Sequence, residues 1–234
     1  MEQTTIRIAS YNIRKARGLD QRRRPERTLQ VINSLGADII VLQEADKRLG
    51  GRPPALPRKM IEVETDLTLV ELSSNGTSLG WHGNAVLMRE PSRLTGFKRL
   101  DLPGLEPRGA VAIDLDVGIS VVGAHLGLRR RDRQDQLSAL NRATLDRQHT
   151  VIAGDFNEWS KHRGLEPLAD RFSTHAPGHS FHARRPIAAL DRFALSHGLS
   201  QVNAGVEQGA QAKRASDHLP IWLDVVVPAK GPTC

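Results

Sequence analysis

The run Ile39-Ile40-Val41-Leu42 constrains this chain more than any other segment. Four consecutive apolar residues, three of them β-branched, leave no polar face for water, so they predict a strand over 37–43 buried on both sides. Such a strand needs covering layers above and below. Upstream, Thr5 to Tyr11 carries Ile6 and Ile8 in alternation, which predicts a second strand. Between the two, Pro25 opens a helix, Leu29, Ile32 and Leu35 recur every third residue, and Gly36 stands where a C-terminal cap belongs. A strand, helix, strand unit results.

Further strands rich in β-branched residues are expected at Ala85 to Met88, Ala110 to Leu115, Ile119 to Ala124, Thr150 to Ala153, Arg192 to Leu195 and Ile221 to Val227. That is too many for one small sheet. A helix is expected over Arg131 to Arg147, with Leu137 and Leu140 inward, and a weaker one over Arg163 to Ala169. Gly50 to Pro54 and Ala176 to Pro186 read as exposed loops, since their Gly, Pro and Arg content offers no period to bury. With no internal repeat and no convincing linker, residues 1–234 are read as a single α/β domain, long enough to bury a core without metal staples.

No apolar run approaches the roughly 20 residues a membrane-spanning helix requires, so stable membrane insertion is not expected. Met1 to Thr5 lacks the basic and apolar stretches of a secretory signal, and Cys234 is the one cysteine, which excludes an intrachain disulfide or a thiolate zinc site. A cytoplasmic setting is the expectation. The formal charge of +7 implies attraction to a polyanion, whether nucleic acid, anionic lipid or a phosphorylated metabolite. Arginine clusters at 14–27, 129–133 and 184–185 supply much of it, in the form best suited to bidentate phosphate contact, although any one cluster could be a solvated face. No protein partner is inferred.

Chemistry enters where apolar strands end in residues too polar for a core. Asn12 follows the first strand, Glu44 the second and His125 the run Val121 to Ala124, while Asp155 and Asn157 follow Val151 to Gly154. Strand ends of a packed α/β protein can converge on one rim, the usual place for ligands. A carboxylate leaving a fully apolar strand, as Glu44 does, is costly unless a cation or donors offset it. If the backbone stays extended, Asp155 and Asn157 face the same way, pairing a proton acceptor with an amide that can orient water; an Asx turn is the plainer alternative. Ser216-Asp217-His218 sets an oxygen ligand beside an imidazole, and a cap would explain Asp217 alone. Metalloprotease, P-loop, dinucleotide and nucleophile-elbow signatures are all absent. The oxygen-rich set Asn12, Glu44, Asp155, Asn157 and Asp217 favours Mg2+, with Mn2+ as substitute, over zinc.

In order, Ser10-Tyr11-Asn12-Ile13, Leu42-Gln43-Glu44, Gly83-Asn84-Ala85, Gly123-Ala124-His125-Leu126, Gly154-Asp155-Phe156-Asn157, Leu190-Asp191-Arg192-Phe193 and Ser216-Asp217-His218 resemble the endonuclease/exonuclease/phosphatase family, whose fold is that of pancreatic deoxyribonuclease. The resemblance implies a four-layered α/β/β/α sandwich of two packed mixed sheets flanked by helices. It also implies a magnesium site at Asn12, Glu44 and Asp217, with Asp155, Asn157, His125 and His218 around the scissile phosphate and Asp191 orienting His218. Arg108 and Asn84 would be further phosphate ligands. The activity implied is metal-dependent hydrolysis of phosphodiesters, first of all in nucleic acid, by in-line attack of an activated water. Phosphatase action or cleavage of a phospholipid or inositol phosphate is the alternative on the same fold, and a non-catalytic polyanion-binding module the alternative outside enzymes. His125 and the low aromatic content of 4% speak against specific abasic-site repair.

Overall fold

The computed structural model describes residues 4–48, 50–161 and 163–228. Cys234 and Met1 to Gln3, on which two of the expectations above rest, lie outside them. Twelve strands form two six-stranded mixed sheets among the described residues. In the first, β1 (Thr4–Asn12) runs parallel to β2 (Ile39–Gln43), and α1 (Pro25–Ser34) makes the crossover. Next to β2 come β4 (Ala85–Met88) and then β3 (Thr68–Leu69), and beyond β1 come β12 (Ile221–Val227) and then β11 (Ser200–Val206), all antiparallel to their neighbours. The second sheet repeats the plan: β7 (Ile119–His125) runs parallel to β8 (His149–Asp155) through α3 (Arg130–Ala143). It is completed by β6 (Arg108–Leu115) and edge strand β5 (Leu94–Leu102) on one side, and by β10 (Asp191–Ser196) and edge strand β9 (Phe172–His175) on the other.

Three apolar clusters lie between four layers, which makes this the expected sandwich. Ile6, Ile8, Val41, Val111, Val121, Val151, Phe193 and Leu223 fill the space between the sheets. Leu29 and Ile32 of α1, and Ile61 of α2 (Arg58–Glu64), pack on Tyr11, Ile40 and Leu42 of the first sheet's outer face. Leu137 and Leu140 of α3 pack on Val122 and Ile152 of the second. The continuous run at 39–42 is therefore continuous because its residues alternate between two cores: Ile39 and Val41 inward, Ile40 and Leu42 toward the helices. Where β2 crosses β7 the sheets approach closely at Gly123, where an added Cβ would fall 2.4 Å from Val41 Cγ1. Glycine is needed there to let the two central parallel pairs meet.

Some expectations need correction. α3 stops at Ala143 instead of Arg147, and Arg163 to Ala169 yields only a single 3-10 turn, Glu166–Leu168, because Pro167 has no amide to give the Arg163 carbonyl in a helix begun there. The 176–186 segment is irregular as expected but not wholly exposed: Ser180 and Ala183 are buried, since the segment tucks under Asp191 and Asp217. Among the described residues no helix is long and apolar enough to cross a membrane.

Candidate active site

Both central strand pairs end on the same side of the sandwich. A cleft of about 660 Å³ opens there, lined among others by Asn12, Glu44, Arg108, His125, Asp155, Asn157, Asp217 and His218. The structure thus brings eight of the ten singled-out residues onto one surface. Asp191 stands immediately behind it, fully buried. Asn84 does not line the cleft: it is fully buried, and its Nδ2 donates to the carbonyls of Gly109 (2.8 Å) and Trp81 (3.3 Å), tying the start of β4 to β6.

Asp155 is the hub. Its Oδ2 accepts a hydrogen bond from Asn12 Nδ2 at 3.0 Å and lies 3.4 Å from His125 Nε2 and 3.7 Å from His218 Nε2. Its Oδ1 accepts from the backbone N–H of Asn157 at 2.9 Å. That last bond closes an Asx turn, so the backbone does not stay extended after β8; Asn157 has a φ of +50°, a conformation asparagine tolerates better than most. The Asn157 side chain still faces the cleft. Its Nδ2 donates to Leu126 O at 2.9 Å, and its Oδ1 has no hydrogen bond among the described residues. Just before the hub, Gly154 passes so close to β7 that a Cβ would fall 1.8 Å from Ala124 O.

A relay runs from the hub into the interior. His218 Nδ1 lies 2.8 Å from Asp191 Oδ2, which also accepts the Ser180 hydroxyl, while Asp191 Oδ1 is buried with no hydrogen-bond partner among the described residues. The Phe181 ring packs against the His218 ring at 4.9 Å. Burial works against a charged His218, but the carboxylates of Asp191 and Asp155 outweigh it and hold the imidazole up at about 10. Burial, reinforced by Asp191 and opposed by His218, pushes the Asp155 carboxyl up to about 6. His125 goes the other way: burial and the positive charges of Arg108 and His218 drive it well below its ordinary value. Its approach to Asp155 is therefore the contact of a neutral ring, not an ion pair. Two neighbouring histidines thus hold opposite charge states at neutral pH.

The wetter carboxylates sit across the cleft. Glu44, left-handed at φ +52°, pairs with Lys15 Nζ and lies 3.8 Å from Arg48, while Asp217 meets Arg14 Nε at 3.2 Å. The Ser216 hydroxyl donates to the Asn12 carbonyl at 2.7 Å and fixes the two segments together. This all-oxygen set suits a hard divalent cation, and its two carboxylates already attract whatever positive groups are within reach. Asp155, Asp191 and His218 also offer ligand atoms within 4.8 Å of one another, but there His218 is committed to Asp191 through Nδ1. Arg108 is 8% exposed and held by Glu106 at 2.7 Å. Lys15 and Ser180 were not anticipated, and Arg14, expected only as part of a basic cluster, pairs with Asp217. The basic pair Arg14-Lys15, two residues past Asn12, is visible in sequence, whereas nothing local marks Ser180 as a partner of Asp191.

Comparison with known proteins adds to this geometry. The model of the Endonuclease/Exonuclease/phosphatase family matches residues 9–218. The uncharacterized protein YbhP of Escherichia coli (strain K12) is 29% identical over 162 residues, covering 62% of this chain and 63% of that protein. The chain thus spans less than two thirds of the length of the curated relatives it matches. A crystal structure of an endonuclease/exonuclease/phosphatase from Beutenbergia cavernae superimposes with a TM-score of 0.74 at 20% identity, over 95% of this chain and 72% of that one. D. rerio TDP2, complexed with a single-strand DNA product, gives 0.69 at 14% identity over 95% and 99%. At such identities the likeness is one of fold.

Proposed function

The chain belongs to the endonuclease/exonuclease/phosphatase family, and from that premise we propose that it is a divalent-metal-dependent phosphodiesterase, with residues 1–234 acting as one catalytic unit in a cytoplasmic setting. The observation that carries the reading is Asp155: a buried carboxyl held near 6, oriented by Asn12 and Asn157, set between a neutral and a charged histidine in a cleft whose basic side chains alternate with carboxylates.

Asn12, Glu44 and Asp217 would hold the metal, Mg2+ or Mn2+, which supplies neutralisation of phosphate oxygens and of the leaving group. The chain's own groups do the rest. Asp155, its proton affinity raised by burial, accepts a proton from the attacking water, and Asn157 Oδ1 orients that water. His218, kept cationic by Asp191, donates through Nε2 to a non-bridging oxygen as negative charge develops; His125 and Arg108 line the same oxygens. Attack is in line, opposite the leaving oxygen.

Two substrate classes fit. A nucleic-acid strand suits the arginines of the cleft, Arg14, Arg48, Arg52 and Arg108, and is supported at the level of fold by the DNA-complexed neighbour. A phospholipid or other membrane-borne diester is favoured by apolar side chains exposed beside the cleft, among them Leu128. Turnover of bis-p-nitrophenyl phosphate with magnesium or manganese, lost in Asp155→Asn, tests the reaction itself. A purified chain that binds polyanions yet hydrolyses no diester with either metal would return the site to a binding module.

A further inference from the structure

Four of the large apolar side chains exposed on this molecule stand on loops at the cleft end of the second sheet: Leu105, Leu128, Trp159 and Ile187, at 73%, 66%, 61% and 63% exposure. They form one row. Leu105 N–H donates to Asp132 Oδ2 at 3.3 Å, at the start of α3. The adjacent Arg133 donates to Leu128 O at 2.6 Å and, 2.9 Å away on its other branch, to Glu158, the residue before Trp159. Trp159 packs edge-on against Phe181 at 5.9 Å, and the Phe181 carbonyl accepts from Ile187 N–H at 2.8 Å.

The row is rigidly displayed. Arg133 and Glu158 form a buried ion pair, and the buried Arg192 donates to the carbonyls on either side of Trp159, Glu158 O at 2.9 Å and Ser160 O at 2.7 Å. Two buried arginines therefore fix the loop whose outward product is an indole in water. Trp81 and Trp222, by contrast, are partly buried against the cores. Flanking the row, Arg129, Arg131, Arg184 and Arg185 are exposed and make no ion pair among the described residues.

Apolar side chains standing clear of the surface between unpaired cations match the boundary between headgroups and acyl chains of an anionic bilayer. A single strand is a poorer match, because three of the four side chains are aliphatic and offer no face for base stacking. We propose that this row is an interfacial docking surface that seats the protein on an anionic lipid bilayer with the cleft turned to the headgroups. The diester taken from that position is one borne by an anionic phospholipid; this step rests on the phosphodiesterase reading, whereas the docking does not.

The test floats the full chain, without divalent metal, with vesicles of phosphatidylglycerol and phosphatidylcholine and with vesicles of phosphatidylcholine alone. Flotation is expected with the anionic mixture only and should weaken with salt. Trp159 emission, read as the difference between the parent and Trp159→Phe, should shift to the blue on binding. The variant Leu105→Ser/Trp159→Ser/Ile187→Ser, its fold checked by circular dichroism, should bind at least about tenfold more weakly. Arg184→Gln and Arg185→Gln should each cost about fivefold. A parent that does not float, or a triple variant that floats equally well, overturns the proposal. So does a Trp159 shift produced by a single-stranded oligonucleotide and not by vesicles, which would assign the row to a strand. A chain that floats but leaves bis-p-nitrophenyl phosphate intact keeps the docking surface and loses the lipid substrate together with the phosphodiesterase reading.

Discussion

The two sheets are built on the same unit, a parallel strand pair joined by one helix, and each presents two polar residues at its strand ends: Asn12 and Glu44 from the first, His125 and Asp155 from the second. Their surroundings differ. Side-chain exposure is 17% for Glu44 and 24% for its neighbour in the cleft, Asp217, against 2% for Asp155 and 0% for Asp191. The wet pair is balanced by cations on long, partly exposed stems, Lys15, Arg48 and Arg14. The dry pair is balanced by one imidazole and a set of hydrogen bonds. Equivalent backbone positions therefore have unlike surroundings, and under the proposed function they divide the work: ligands for a cation on one side, proton handling on the other. Burial makes the distinction, because desolvation shifts proton affinity only where water is excluded.

The most severe way to break this division is to remove the dry carboxylate. Asp155→Asn keeps the side-chain shape but has one oxygen for the two donors Asn12 Nδ2 and Asn157 N–H and cannot accept a proton, so diester turnover should fall about a thousandfold. Metal binding measured by calorimetry should change little by comparison. If metal affinity collapses as well, Asp155 belongs to the metal's own ligand set and the division between the sheets is wrong.

Next in size, His218→Gln should slow turnover about a hundredfold by removing a charged donor. It also carries a pH signature in metal-free buffer. His218 is raised from 6.5 to about 10 on folding, so its stabilisation is complete below 6.5 and disappears as pH rises through about 10. Asp155, raised from 3.8 to about 6, favours the fold most below 3.8 and has lost that contribution by about 6. The window above neutrality therefore belongs to His218: Tm should fall from pH 7 toward about 10 in the parent and follow a flatter course in His218→Gln. A parent Tm that rises across that window contradicts the assigned charge.

How much of this was legible beforehand depended on position in the sheets. All eight interior strands were readable, because two buried faces force runs such as Ile39 to Leu42 and Val121 to Ala124. The four strands that sequence did not reveal are the four edges, β3, β5, β9 and β11. An edge strand needs no continuous apolar pattern and is often charged against further pairing, as β5 is by Lys98 and Arg99 and as β11 is in its exposed first half. In the site, residues at strand ends were identifiable from their polarity alone. Asp191 was reached through resemblance, and Ser180 not at all, since a hydrogen bond between residues of one irregular turn and a distant strand end leaves no local pattern. The docking row was also missed: Leu105, Leu128, Trp159 and Ile187 are isolated in sequence and meet only through Asp132, Arg133, Glu158 and Phe181.

On the wet side, Glu44→Gln removes a charge from the proposed ligand set and should weaken magnesium binding at least about tenfold, since losing even an outer partner of a metal site costs that much. Lys15→Met sharpens the comparison from the opposite direction. Lys15 pairs with Glu44 and competes with any cation there, so its removal should tighten magnesium binding by about fivefold at most, the worth of a partly exposed ion pair. Calorimetry in which Lys15→Met weakens magnesium binding would show the lysine positioning Glu44 instead of competing for it.

The smallest effect on activity is expected at Asn84, which resemblance placed among phosphate ligands and the structure places behind the cleft. Its amide bridges β4 of the first sheet to the Gly109 carbonyl of the second, so it joins the two halves being compared without belonging to either. Asn84→Ser would leave the buried carbonyl of Gly109 short of a donor, while Trp81 O keeps the backbone N–H of residue 84, at a cost of about 1–3 kcal/mol. Denaturant melts should register that loss, while KM for bis-p-nitrophenyl phosphate should stay within about twofold of the parent, because a change confined to the join shifts both rims together and alters no group that faces substrate. A KM raised about tenfold with unchanged stability would instead put the Asn84 amide on the phosphate, which requires the β4–β6 join to open when substrate binds.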